Sequence, residues 1–133
     1  MARAGSRGHA RPSGRELERR AGRLVIRGAV YPVDLGSGRG HEQGGRRYGL
    51  VLSPSEAPWS VVTIVPTSTS AAPLSFRPQF EVAGRDTVFL VDQMRAVDVS
   101  YVGADLVDYL SADELAIVEE AVARYLGLPV EDL

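Results

Sequence analysis

Cysteine and lysine are both missing from this 133-residue sequence, and histidine occurs only at positions 9 and 41. Without cysteine there is no disulfide, no thiolate nucleophile, no Cys-ligated zinc and no iron–sulfur cluster, a composition that fits a reducing compartment. Two isolated histidines offer neither a metal-binding pair nor a two-histidine nuclease. The GxSxG elbow, the HExxH motif and the P-loop are absent too. No apolar run approaches the roughly 18–20 residues of a membrane span. The Arg-rich start is not followed by the apolar stretch of about 7–15 residues that marks a signal peptide. These absences lead to the expectation of a soluble, cytoplasmic protein held together by packing, of a length suited to one domain.

With no lysine, all fifteen basic residues are arginine, set against seventeen acids for a formal charge of -2. That balance excludes a globally cationic coat for nucleic acid or membrane. The charge is nevertheless polarised along the chain. Residues 1–27 carry eight Arg and two Glu (+6), residues 28–100 six Arg and seven acids (-1), and residues 101–133 one Arg and eight acids (-7). Residues 1–23 are rich in Arg, Gly and Ala with Leu17 as their one apolar anchor, too little to offset the entropy of ordering, and read as a disordered basic arm. The folded domain is expected over residues 24–133.

From residue 24 the pattern becomes short β-branched runs punctuated by Gly, Pro and Ser, the signature of strands. Strands are expected over Gly28–Leu35, Tyr48–Ser53, Trp59–Val65, Phe80–Val82, Thr87–Val91 and Ala96–Tyr101. Pro32 suits an edge or a bulge in the first of these. Two runs as close as YGLVLS and WSVVTIV suggest an antiparallel pair, and turn signals every 8–12 residues argue for a small sheet curled into a barrel. Residues 36–46 contain five Gly and no aliphatic residue, and read as a long, flexible polar loop; Thr67–Ser75 reads as a second.

The last element has a helical period. Ser111 and Glu114 form a capping box, Asp113 and Glu114 suit the positive end of the helix dipole, and Gly127 followed by Pro129 closes the helix. Leu115, Val118, Val122, Tyr125 and Leu126 form its apolar stripe. Glu119 and Glu120 read as a solvated outer face. The expected architecture is therefore mainly β with a C-terminal α-helix.

Chemistry concentrates in two polar loops, GRGHEQGGRR at 38–47 and PTSTS at 66–70. The glycines of the first look superficially like a phosphate-cradling loop, but such a loop opens onto a helix and here a strand follows. Arg46 and Arg47 supply permanent positive charge in a forked donor geometry suited to phosphate. Glu42 and Gln43 supply groups for bases or for steering an Arg, and Thr67, Ser68 and Thr69 supply hydroxyls. A phosphodiester with an adjacent 2′-OH would fit; from composition alone, so would two polar hairpin loops without chemistry.

The string GRGHEQGGRR followed by YGLVLS, then VTIVPTSTS, FLVDQMRAVD and SADELAIVEEAVARYLGL, resembles the MazF/PemK family of toxins from type II toxin–antitoxin modules. The similarity spans about residues 27–128. It implies the SH3-like small β-barrel of the MazF/PemK/CcdB type, a homodimer, and a sequence-specific, metal-independent endoribonuclease (mRNA interferase) that regulates growth, needs no cofactor and is silenced by a cognate antitoxin. Against a family pattern of roughly G-[SH]-E-Q-x-G-x-R-P, the resemblance puts the catalytic Arg on Arg47, with Glu42 and Gln43 in companion loop positions and Arg46 at the variable place. The family's catalytic hydroxyl falls on Ser68, with Thr67 and Thr69 flanking it as alternatives one residue away. The D-Q-[IM]-R block sets Asp92, Gln93 and Arg95 near the substrate surface or the dimer interface. Tyr48 stands where the family usually carries Pro; it reads either as an ordinary strand residue or as a ring that stacks on a base.

RNA carries its own nucleophile, so an enzyme cleaves it without metal by aligning the 2′-OH with phosphorus and stabilising the charged transition state, leaving a 2′,3′-cyclic phosphate and a 5′-OH. Arg47 would hold the non-bridging oxygens and Ser68 would donate to the same phosphate. Gln43, Arg46, Thr67, Thr69, Gln93 and Arg95 are candidates for substrate binding. Arginine is a poor proton carrier, which leaves His41 and Glu42 as acid/base or orienting candidates. Unpaired bases of single-stranded RNA, mRNA included, would be read on their edges. The competing class is a non-catalytic barrel that grips RNA or a protein such as gyrase.

Overall fold

The computed structural model describes residues 24–130 apart from 39, 42, 43, 56 and 57; the expected basic arm lies outside the described residues. Seven strands precede one helix: β1 (Ala29–Asp34), β2 (Arg46–Val51), β3 (Val61–Ser68), β4 (Gln79–Val82), β5 (Arg85–Phe89), β6 (Arg95–Asp98), β7 (Asp108–Tyr109) and α1 (Ala112–Leu126). All pairings are antiparallel, in the order β4-β5-β3-β2-β1-β7 with β6 also on β3. At the ends of that path, Asp108 of β7 accepts a hydrogen bond from the backbone N–H of Ala83 beside β4 at 2.8 Å. The sheet is thus a nearly closed barrel, the mainly-β fold with one C-terminal helix that the sequence pattern pointed to.

The central strands are buried on both faces, because side chains alternate across a strand while the register keeps each row in line. Val30 pairs with Leu50 and Leu50 with Val65, and this row joins one core with Phe89, Val118 and Ala121. The neighbouring row, with Val51 opposite Ile64, joins the other core with Ala29, Tyr31, Val33 and Val97. Gly49 lies buried between β1 and β3, where an added Cβ would come within 2.9 Å of Val33 Cγ2, so only glycine permits this strand spacing.

Several boundaries differ from expectation, each for a tertiary reason. β3 runs through Pro66 to Ser68, so Thr67 and Ser68 belong to a strand and not to a polar loop. Partners on both sides carry the chain past the proline: Gly49 opposite Pro66, and Phe89 and Val88 opposite Thr67 and Ser68. Residues 99–101 leave β6 as a 3-10 turn, with the Asp98 side chain accepting from Ser100 N. β7 has no signal of its own in the sequence. Pro32 lies beyond the β7 ladder, which pairs only Ala29 and Val30; there a single bridge sets Val33 opposite Val102 and Gly103 N donates to Pro32 O at 2.7 Å.

The helix forms as its caps dictate, with Ser111 and Glu114 making the reciprocal box and Gly127 adopting the left-handed conformation. Its stripe is shifted from the expected one. Val118 and Ala121 are buried and Leu115 and Val122 pack beside them, whereas Tyr125 and Leu126 are exposed. Tyr125 instead sets its ring near Phe76, with centroids 6.2 Å apart. Arg27 ties the helix to the barrel, donating to Leu52 O and pairing with Glu119. Among the described residues, no helix is long and apolar enough to cross a membrane.

Candidate functional site

β2 emerges from the glycine-rich loop beside the end of β3, and a cleft of about 380 Å³ opens where the two meet the β4–β5 hairpin. Arg46, Arg47, Tyr48, Thr67, Ser68 and Thr69 all line it. The structure therefore brings together residues about twenty apart in sequence through the β2–β3 pairing.

Arg47 is half-buried and doubly anchored: Nε donates to Gly44 O at 2.9 Å and Nη1 to Thr67 O at 3.3 Å. One anchor comes from its own loop and the other from β3, so the guanidinium bridges the two chemistry-bearing segments. Both acceptors are neutral carbonyls, and among the described residues no carboxylate pairs with it. Arg46 is exposed, opposite Asp34 in the β1–β2 register. The Asp34 carboxylate is occupied elsewhere, accepting from Gly36 N at 3.0 Å.

The three hydroxyls differ. Thr67 is buried and its Oγ1 donates to Tyr48 O at 2.8 Å, pinning β3 to β2. Ser68, 6% exposed, accepts from Ser70 N at 3.1 Å and Ala71 N at 3.0 Å, and lies 3.3 Å from Ser70 Oγ. With both acceptor positions filled by backbone N–H groups, the Ser68 proton is directed at Ser70 Oγ, a long contact that a substrate oxygen can replace, and two incoming donors polarise that O–H. Thr69 is exposed on the rim.

The glycine-rich loop is tighter at its base than its composition suggests. Gly45 N donates to Gly36 O at 2.5 Å and Leu35 N to Gly45 O at 2.9 Å. A Cβ on Gly44 would fall 2.3 Å from Gly38 N. The glycines thus close a neck, and β2 follows it directly. Glu42 and Gln43 lie outside the described residues. His41 is exposed and is not among the cleft-lining residues; its carbonyl accepts from Gln93 Nε2 at 3.0 Å. Gln93 is outside the cleft as well, on a 3-10 turn spanning 91–93, from which it holds the loop. Arg95 is exposed on β6 opposite Ile64, away from the lining.

The same turn is braced by Asp92, which receives Arg77 Nε at 2.8 Å and Nη2 at 2.7 Å. These hydrogen bonds, aided by the guanidinium charge, hold the Asp92 carboxyl below its ordinary value against the opposing effect of burial, and they move Arg77 upward. Asp92 is thereby committed to Arg77.

Five cleft residues were not candidates for the site from the sequence: Pro32, Val82, Ala83, Arg85 and Thr87. Arg85 and Thr87 share one face of β5, two residues apart, and Thr87 Oγ1 donates to Arg85 O at 3.0 Å. The R-D-T string carries no motif signal, and only the folding of the β4–β5 hairpin against β3 brings Arg85 and Thr87 to the cleft that Ser68 lines.

Comparison with known proteins agrees with this architecture. Residues 26–126 match the model of the PemK-like, MazF-like toxins of type II toxin–antitoxin systems. A Mycobacterium tuberculosis protein designated a candidate toxin, Rv3098A, is 64% identical over 106 residues, 79% of this chain and 100% of that protein. MazF of Deinococcus radiodurans superposes with a TM-score of 0.70 at 28% identity, covering 80% of this chain and 99% of that one. A mycobacterial endoribonuclease solved with its cognate antitoxin shares the fold, with a TM-score of 0.65 at 21% identity over 80% of this chain and 99% of that one. The chain belongs to the PemK-like, MazF-like family of toxins of type II toxin–antitoxin systems.

Proposed function

We propose that this toxin is an endoribonuclease that cleaves single-stranded RNA, mRNA included, by attack of the 2′-OH on the adjacent phosphodiester, leaving a 2′,3′-cyclic phosphate and a 5′-OH. The observation that carries this reading is the convergence of an anchored guanidinium (Arg47), with no carboxylate partner among the described residues, and a polarised hydroxyl (Ser68) in one cleft. A guanidinium keeps its charge throughout and tightens its hydrogen bonds as negative charge builds on the non-bridging oxygens. Ser68 donates its proton toward the same phosphate, while Thr67, committed to Tyr48 O, keeps the strand ends together.

The cleft is lined by cations, hydroxyls and a Tyr, with no carboxylate or imidazole among its described lining residues. Such a donor set suits a polyanion and is ill suited to a hard divalent cation, which takes oxygen ligands rich in carboxylate; the reading is therefore of a metal-independent reaction. His41 and Glu42 remain the candidates for moving protons, with Gln43 and Thr69 as base or backbone contacts. Gln93 acts through the loop it holds. The toxin works in the cytoplasm as a homodimer, with sequence preference arising from bases splayed against the loops. Its cognate antitoxin occupies the cleft with an acidic segment that folds on binding and excludes RNA.

The test is incubation of the purified protein with a long single-stranded transcript in EDTA, followed by end analysis. Discrete fragments bearing cyclic phosphate ends, with duplex RNA and the matching DNA left whole, are the expected result. Intact RNA with a mobility shift would instead identify a binding module. Size-exclusion chromatography with light scattering tests the dimer, and co-purification with the product of an adjacent small reading frame tests the antitoxin.

A further inference from the structure

Arg46 and Arg47 line the cleft from β2, and a third arginine, Arg85, lines it from β5. Among the described residues none of the three is engaged by a carboxylate within ion-pair distance. Three like charges in one cleft repel unless an anion joins them, and a single scissile phosphodiester supplies only one negative charge. The cleft, at about 380 Å³, has room for on the order of a dozen waters, more than one phosphate group displaces.

The hairpin that carries Arg85 is built to hold it in place. Ala83 is the one non-glycine with a positive φ (50°) among the described residues, followed by Gly84 (83°), the two-residue turn geometry that matches strand twist. Asn or Gly is the usual choice there, so Ala83 carries backbone strain; its N–H is fixed by Asp108 of β7. Arg85 follows directly, on the same face as Thr87. Because Ser68 sits opposite Val88, Arg85 lies three residues further along β5, roughly 10 Å at the usual strand rise.

We propose that Arg85 is a substrate-binding residue that takes an RNA backbone phosphate neighbouring the one held by Arg47 and Ser68, so that the strand is gripped on both walls of the cleft. This rests on the ribonuclease reading but is tested apart from it. Such a contact positions the backbone without reading sequence, so it shows in affinity and salt dependence.

The experiment measures binding of a fluorescein-labelled, fully 2′-O-methylated single-stranded RNA of mixed sequence, which no variant cleaves, to wild type, Arg85→Ala and Arg85→Lys across a salt series. The Arg85→Ala protein is expected to bind several-fold more weakly, with the slope of log K against log salt reduced by about 0.7, the loss of one phosphate contact on a single strand. Arg85→Lys, which keeps the charge, is expected to restore most of the slope. An unchanged slope and affinity in a folded Arg85→Ala protein, or an Arg85→Lys protein as defective as Ala, would overturn the proposal. Unmodified RNA left whole by wild type in a parallel assay would overturn the ribonuclease reading alone.

Discussion

Ser68→Ala has two separable consequences. The hydroxyl accepts from Ser70 N and Ala71 N while 6% exposed, so its removal orphans two backbone donors at the point where β3 turns into the following loop. Each unsatisfied group costs about 1–3 kcal/mol when water cannot reach it; since Ser70 is exposed and the loop has room to relax, about 2 kcal/mol in total is expected. For a domain of this size that lowers Tm by roughly 10 °C. The second consequence is catalytic. Losing one aimed donor to the transition state costs about 3 kcal/mol, roughly a hundredfold in rate.

The two effects are resolved by measuring single-turnover cleavage of a labelled single-stranded RNA in EDTA, well below every transition, alongside thermal unfolding of each variant. Ser68→Thr keeps the hydroxyl and is expected to retain most of both properties. Thr67→Ala orphans the Tyr48 carbonyl and should lose about 1 kcal/mol of stability with a smaller effect on rate. Thr69→Ala, on the exposed rim, should change stability by less than about 0.5 kcal/mol. A Ser68→Ala enzyme with a lowered Tm but a rate within about threefold of wild type, a barrier change under 1 kcal/mol, would show that the hydroxyl only organises the loop. Equal rate losses at 67, 68 and 69 would show that the register of the site is wrong.

Arg47→Ala should lose on the order of a hundredfold in cleavage rate, and Arg47→Lys should recover only part of it, since an ammonium does not reproduce the forked contacts to Gly44 O and Thr67 O; a folded Arg47→Ala protein cutting at the wild-type rate would remove the catalytic assignment. Tyr48, 40% exposed in the cleft, should act as a stacking platform, so that Tyr48→Ala weakens single-stranded RNA binding by about 1–3 kcal/mol while Tyr48→Phe does not; unchanged affinity would return it to an ordinary strand role. Asp92 titrates below its ordinary 3.8 when folded, so its ion pair contributes fully above that pH and is lost as pH falls through the folded value. Asp92→Asn should therefore lower Tm at neutral pH, with the difference from wild type closing in acid below about 3.8; a constant difference across the acid range would contradict the pairing.

Much of this molecule is written in local chemistry. Ser111, Glu114 and Gly127 bound the helix by satisfying backbone groups within a few residues of themselves, so their signal is complete in the chain. The β-branched runs in GAVYPVDL and WSVVTIV likewise mark strands, and the spacing of turn residues marks a barrel. The loop string ending in Arg46 and Arg47, with the PTSTS segment, marks where the charge and the hydroxyls of the cleft lie.

Other features exist only once the sheet has closed. Thr67 and Ser68 look like loop residues after Pro66 until Val88 and Phe89 pair with them. Tyr125 and Leu126 continue a helical stripe on paper, but both stay exposed and Ala121 takes the buried place. The same hydroxyl-bearing residue types become a strand clasp at Thr67 and a polarised donor at Ser68, according to which backbone groups the register sets beside them. Arg85, unmarked by any motif, reaches the cleft because Asp108 pins its hairpin. Sequence by itself determined which elements form and which groups carry charge, since those depend on neighbours within a turn or a pleat. Only the tertiary structure decided which of those groups share a cleft and which are spent on holding it, because that depends on contacts between strands far apart in the chain.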